Sequence, residues 1–160
     1  MPAQAMLTNF NFAVQIELSG LGGDEGLALG GRRGAFSEVQ GLEINIEPVA
    51  VREGGYNRGV RQLVGKTTHP PLVLKRGLSL DPGFWDWVRR CLDGSFPLPY
   101  IAGTVRVLQP DSSASGAGVW HFENGIATKV KAVDLNAANS REVALEELHI
   151  VHEGLHREPS

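Results

Sequence analysis

The sequence predicts a mainly β fold, an antiparallel β-sandwich or barrel-like domain with one flanking α-helix, and three observations lead there. The 160 residues include 20 glycines and 9 prolines spread along the chain, so turn-forming residues punctuate it at short intervals. Its apolar residues fall into short runs, several of them alternating with polar ones. Only one stretch, about 82–93, combines helical periodicity with start and stop signals. A chain of this length forms one domain, 1–160, large enough to bury a real core.

Taken in order, Phe10, Phe12, Val14, Ile16 and Leu18 alternate with Asn11, Ala13, Gln15 and Glu17, the period of a half-buried strand. Residues 20–34 are glycine-rich, carry Asp24, Glu25, Arg32 and Arg33, and read as a flexible solvated loop. A second strand region spans 35–51, broken near Gly41-Leu42 and at Pro48. There Leu42, Ile44 and Ile46 take one side and Glu43, Asn45 and Glu47 the other. Arg52 to Gly59 is turn chemistry, with Gly54-Gly55 and Asn57 supplying positions tolerant of positive φ. A brief extended piece at 60–64 leads to Gly65-Lys66-Thr67, read as a turn, and Pro70-Pro71 opens the strand Leu72-Val73-Leu74-Lys75.

For the helix, Asp81 is a good N-cap, Pro82 suits the first position and Gly94 closes the end. Phe84, Trp87, Val88, Cys91 and Leu92 share one face, while Trp85, Asp86, Arg89 and Arg90 occupy the other. Asp86 is spaced to pair with either arginine. Strands are expected near 100–109, 119–123 and 128–135, with a Ser/Gly/Ala hairpin loop at 111–118. The stretch 141–153 alternates in part and reads as a strand, with a short helix as the rival.

Composition narrows the function. The net charge is −3 with both signs interspersed, unlike the basic footprint of a nucleic-acid binder. Cys91 is the only cysteine, which excludes an intrachain disulfide and a cysteine-based zinc site. No apolar run approaches the roughly 20 residues of a membrane span, and the first residues lack a secretory pattern. Synthesis in the cytoplasm, with no membrane anchor, is the expectation.

Two motifs resemble catalytic ones. His152-Glu153-Gly154-Leu155-His156 spells the zinc-hydrolase pattern H-E-x-x-H, which needs a helix to bring both imidazoles to one metal. Gly154 inside the motif costs a helix about 1 kcal/mol relative to alanine, and a polar tail at 154–160 is the plainer reading. Gly59 to Thr67 approximates a phosphate-binding loop but has one residue too many between its glycines, and Pro70-Pro71 forbids the helix that should follow. His69, His121 and His149 share no site-forming spacing. The pairs Arg32-Arg33, Lys75-Arg76 and Arg89-Arg90 read as solvated faces or subunit contacts. The reading is therefore non-enzymatic, with no cofactor and no metal.

Phe36-Ser37-Glu38-Val39-Gln40-Gly41-Leu42, Val51-Arg52-Glu53-Gly54-Gly55, Val60-Arg61-Gln62-Leu63-Val64-Gly65 and Leu72-Val73-Leu74-Lys75-Arg76-Gly77 follow one another in order. This ordered set resembles the tail-tube proteins of contractile phages, most of all the tube subunits of extracellular contractile injection systems. Asn9-Phe10-Asn11-Phe12, Trp85-Asp86-Trp87, Asp134-Leu135-Asn136-Ala137 and Glu146-Glu147-Leu148 with His152-Glu153-Gly154-Leu155 extend the likeness over nearly the whole chain. Two departures, the long glycine-rich 20–34 loop and Thr128 where a proline is expected, leave open a main tube subunit or a tube-initiating, baseplate-proximal paralogue.

The resemblance implies a hexameric ring whose sheets join into a continuous β-barrel lumen. Rings would stack into a tube inside a contractile sheath, in a virion tail or a released particle. The implied partners are further copies of the chain, the sheath protein, baseplate or spike and tube-capping proteins, and luminal cargo. About seven strands would also leave exposed edges, which ring closure removes. Within this frame, 52–66 is too polar for core and too long for a tight hairpin. Arg52, Glu53, Gly54, Gly55, Tyr56, Asn57, Arg58, Arg61 and Lys66 are thus the candidate inter-subunit arm. Trp85, Asp86, Arg89 and Arg90 are the candidate sheath-facing surface, and Glu43, Asn45 and Glu47 face the lumen or a neighbour.

Overall fold

Alternation and turn placement produce nine strands and one helix in a computed structural model that describes residues 11–18, 36–77, 82–94, 96–108, 118–132 and 145–158. In chain order these are β1 (Asn11–Leu18), β2 (Glu38–Gln40), β3 (Asn45–Val51), β4 (Arg61–Thr68), β5 (Leu72–Gly77), α1 (Pro82–Asp93), β6 (Ile101–Leu108), β7 (Gly118–Lys131), β8 (Leu145–Val151) and β9 (Gly154–Arg157). The 20–34 loop, Asp81 and the 111–117 loop lie outside the described residues.

Seven strands form one antiparallel sheet in the order β1-β6-β7-β8-β5-β2, with β9 added alongside β7. The sheet turns a corner within β7. Its first half pairs with β6 and β9, and its second half, from Ile126 on, pairs with β8. Asn124, at φ 52°, sits where the pairing changes hands. The strands expected separately at 119–123 and 128–135 are thus joined, over the described residues, in one continuous strand of 14 residues that bends at Asn124.

The inward faces of the two wings share one core. Val14, Ile16, Ile101, Val105 and Phe122 come from one wing, and Leu72, Leu74, Leu148 and Ile150 from the other. Helix α1 closes it with Phe84, Trp87 and Val88, and the Trp87 indole N–H donates to the Pro99 carbonyl at 2.8 Å. Gly94 ends the helix in the left-handed region, φ 60°. Leu92, expected on the core face, is instead 81% exposed at the last turn.

Three other expectations change. Gly65-Lys66-Thr67 is not a turn but part of β4, because the strand runs on to Thr68 against β3. Residues 154–157 do not trail off as a tail but form β9 on the edge of β7. Arg76 is not on a solvated face. The β5 alternation that buries Leu72 and Leu74 buries it too, opposite Glu146 on β8. Its Nε donates to Glu146 Oε2 at 3.0 Å, and the guanidinium carbon lies 3.9 Å from the centre of the Phe84 ring. A buried charge of this kind requires its partner in place. Lys75, on the other parity, reaches Glu38 at 2.9 Å.

Candidate functional site

Strands β3 and β4 form a separate two-stranded sheet that contacts no other strand or helix of the described chain. The register runs Asn45 opposite Thr68, Ile46 opposite Thr67, then Pro48 opposite Val64, Val49 opposite Leu63 and Val51 opposite Arg61. The ladder slips by one residue between Ile46 and Pro48. Gly65 lies at that slip, where a Cβ would fall 2.4 Å from the Glu47 carbonyl oxygen and 2.7 Å from Val49 Cγ2. Only glycine fits the bulge without displacing the partner strand. Pro48, which lacks an N–H, is tolerated because both strands are edges.

The tip is built by 52–60. The Tyr56 N–H donates to the Glu53 carbonyl at 3.2 Å, and Gly55 takes φ 88°. Asn57 does not take the positive φ expected of it. Arg61 Nε lies 2.6 Å from Glu53 Oε2, and its guanidinium sits 4.8 Å from the Tyr56 ring centre. All nine residues predicted for the arm therefore lie on this one hairpin, and all nine are exposed.

The hairpin is less polar than the sequence reading held. Of the twelve large apolar residues exposed in the described chain, seven fall between Ile44 and Val64, and Val64 is 84% exposed. Residues opposite one another share a face, so Ile46, Pro48 and Val64 lie on one side and Val49 and Leu63 on the other. Glu43, Asn45 and Glu47 are exposed as well, but Asn45 and Glu47 share their side with Val49 and Val51. The clue available in the sequence was the adjacent pair Leu63-Val64, apolar on both parities of a strand otherwise flanked by turns.

The helix surface is as read. Trp85, Asp86, Arg89 and Arg90 are exposed, with Arg89 hydrogen-bonded to Asp86 and Trp85 edge-on to Phe84. Beside them, Val88, Cys91 and Leu92 of α1 and residues 127–130 of β7 line a groove of about 380 Å³. Partial burial there raises the Cys91 thiol above its ordinary pKa.

The H-E-x-x-H letters do not make a metal site. His152 is buried and precedes β9, whereas His156 is exposed on β9 and stacks on His121 with ring centres 5.2 Å apart. Strand geometry sends them to different surroundings. Among the described residues no group of three or more His, Cys, Asp or Glu is arranged to hold a metal ion. His121 lies between Thr104, whose Oγ1 is 3.1 Å from its Nδ1, and Glu158, 2.9 Å from its Nε2 but outside hydrogen-bonding geometry.

Comparison with known proteins places this architecture. The family profile described as T4-like virus tail tube protein gp19 matches residues 8–156. No curated protein matches. Among solved structures, the tube-terminating cap of the anti-feeding prophage is similar with a TM-score of 0.73 and 16% identity, over 100% of this chain and 95% of that one. A chain of the sheath-tube complex of the PVC extracellular contractile injection system, in its extended state, gives 0.72 and 17% identity, over 99% and 95%. An Hcp protein gives 0.57 and 13% identity, over 92% and 91%. At these identities the structures speak for a shared fold, and the profile, spanning nearly the full length, speaks for descent. The chain belongs to the T4-like virus tail tube protein family.

Proposed function

We propose that this chain is the structural subunit of the inner tube of a contractile, phage-tail-like injection particle, acting by assembly rather than by turnover. The observation that carries the reading is the β3–β4 hairpin. A two-stranded hairpin is marginal in water without a third layer, and exposed apolar surface of this extent marks an interface. The hairpin touches no other element among the described residues, which supports a covering surface supplied by another molecule. The family profile makes further copies of the chain the natural occupant.

Sheet edges support the same conclusion. β1 is an edge of eight residues, and β2 at the opposite end has three. Neighbours in a ring would extend the sheet across these edges into a continuous lumen. Six copies per ring, stacked rings, an enclosing sheath meeting the Trp85–Arg90 face, and baseplate and capping proteins at the ends complete the proposal. Assembly would take place in the cytoplasm of the producing cell. Electron micrographs of the purified chain test it: rings about one subunit thick or hollow tubes are expected, and a strictly monomeric protein at high concentration would contradict it.

A further inference from the structure

The hairpin joins the body through two short connections, and one of them places an unusual pair of side chains. His69 follows β4 directly, and its ring centre lies 5.3 Å from that of His152, in the link between β8 and β9. Phe122, from the corner strand β7, covers the other side of His152 at 6.1 Å. His152 is 7% exposed. Its Nδ1 lies 3.1 Å from the Gly154 carbonyl, so Nδ1 carries the hydrogen and donates. That leaves His152 Nε2 buried without a hydrogen bond of good geometry, although the Pro70 carbonyl lies close enough to act on the ring, and His69 Nδ1 has no hydrogen-bond partner.

We infer that His152, packed against His69, forms an acid-sensitive latch at the root of the β3–β4 hairpin, holding it to the body while the His152 ring is neutral and releasing it when that ring takes up a proton. The buried His152 ring packs on the half-buried His69 ring while neutral. A proton on His152 creates a charge in a poorly hydrated site. The hairpin root, Thr68 to Pro71, is the segment free to yield, since the hairpin beyond it touches no other element among the described residues.

The electrostatic surroundings agree. Burial lowers the His152 pKa, and the neighbouring His69 adds to that effect. The Gly154 and Pro70 carbonyls act in the opposite sense without overcoming burial. Among the described residues no carboxylate compensates. Glu153 is exposed and held by Asn124 Nδ2 at 2.7 Å, and Glu123 is exposed on the face of β7 opposite Phe122. On β8, His149 is engaged by Glu147. A histidine with a lowered folded pKa contributes stability that is present above its ordinary value near 6.5 and is lost as pH falls through the folded value. The latch is thus closed at neutral pH and opens in acid. It stands on the geometry of this chain alone, and only its consequence for assembly rests on the tube reading.

Hydrogen exchange of the full chain, corrected for the intrinsic pH dependence of exchange, tests it at pH 7.5 and 5.5. The wild type should show a several-fold rise in exchange at the Thr68 and His69 amides in acid, while β6 and β8 change little. His152→Asn keeps a donor toward Gly154 but cannot titrate, and His69→Asn removes the second ring. Both should flatten the rise, with His121, His149 and His156 still present in each. A flat wild type, or a folded variant that keeps the full response, overturns the latch. If neither variant folds, the ring resonances of wild-type His152 decide. Titration below the ordinary histidine range together with the exchange step supports the latch, and titration at or above that range overturns it. None of these outcomes depends on whether tubes form.

Discussion

The body and the hairpin of this subunit are both antiparallel β structure, yet opposite physical arguments account for them. In the body, Trp87, Phe84 and Phe122 are 1–2% exposed and meet side chains from both wings of the sheet, so burial of apolar area stabilises the fold. In the hairpin, residues of the same chemistry, Val49, Leu63 and Val64, are 48%, 53% and 84% exposed. Among the described residues the body covers its own core, whereas the hairpin presents apolar surface that no other described element covers. This difference separates substitutions that act on folding from those that act on assembly.

The largest effect on folding is expected at Trp87→Ala, which empties the centre of the core and orphans the Pro99 carbonyl. A loss of about 3–5 kcal/mol in a denaturant titration is expected. Glu146→Ala should follow, at about 3 kcal/mol, because it strands the buried Arg76 charge beneath Phe84. Combining Arg76→Met with Glu146→Leu should recover most of that stability. Failure to recover would mean that the ion pair does more than fill space.

Gly65→Val marks the boundary between the two regions. It forces the bulge apart at the Glu47 carbonyl, so it should disorder the hairpin while moving the main unfolding transition by less than about 1 kcal/mol. Loss of assembly with an unchanged melt would show the two regions to be independent. The smallest folding effect is expected for Arg89→Glu with Arg90→Glu, within about 0.5 kcal/mol, as both side chains are exposed. If the α1 face meets the sheath, that variant should still form tubes but fail to recruit sheath protein in co-sedimentation.

The features readable from the sequence were those set by local rules. Helix α1 was visible with its full extent because proline, periodicity and Gly94 all act within one short segment. β1 was visible through alternation, and its inward residues Val14 and Ile16 are buried as read. The features missed depend on what lies opposite in space. Arg76 reads as a surface charge until Glu146 and Phe84 are placed around it. The 119–131 stretch reads as two strands until β8 and β9 pair along it. His152 belongs to a conspicuous letter pattern, yet its surroundings are set by His69, far away in the chain. The 52–66 stretch was marked by its turn residues, and Leu63-Val64 hinted at its apolar character, but the exposure of those residues depends on what packs behind them, and among the described residues no other element does.

Sedimentation velocity of the wild type beside a Leu63→Glu, Val64→Glu variant, each with a thermal melt, tests the central claim most directly. The account predicts rings or larger species for the wild type. It predicts a monomer for the variant, with a melt shifted no more than an exposed substitution allows, about 0.5 kcal/mol. A variant that assembles like the wild type, or one destabilised as severely as Trp87→Ala, would contradict the assignment of this hairpin as an arm held out from a finished body.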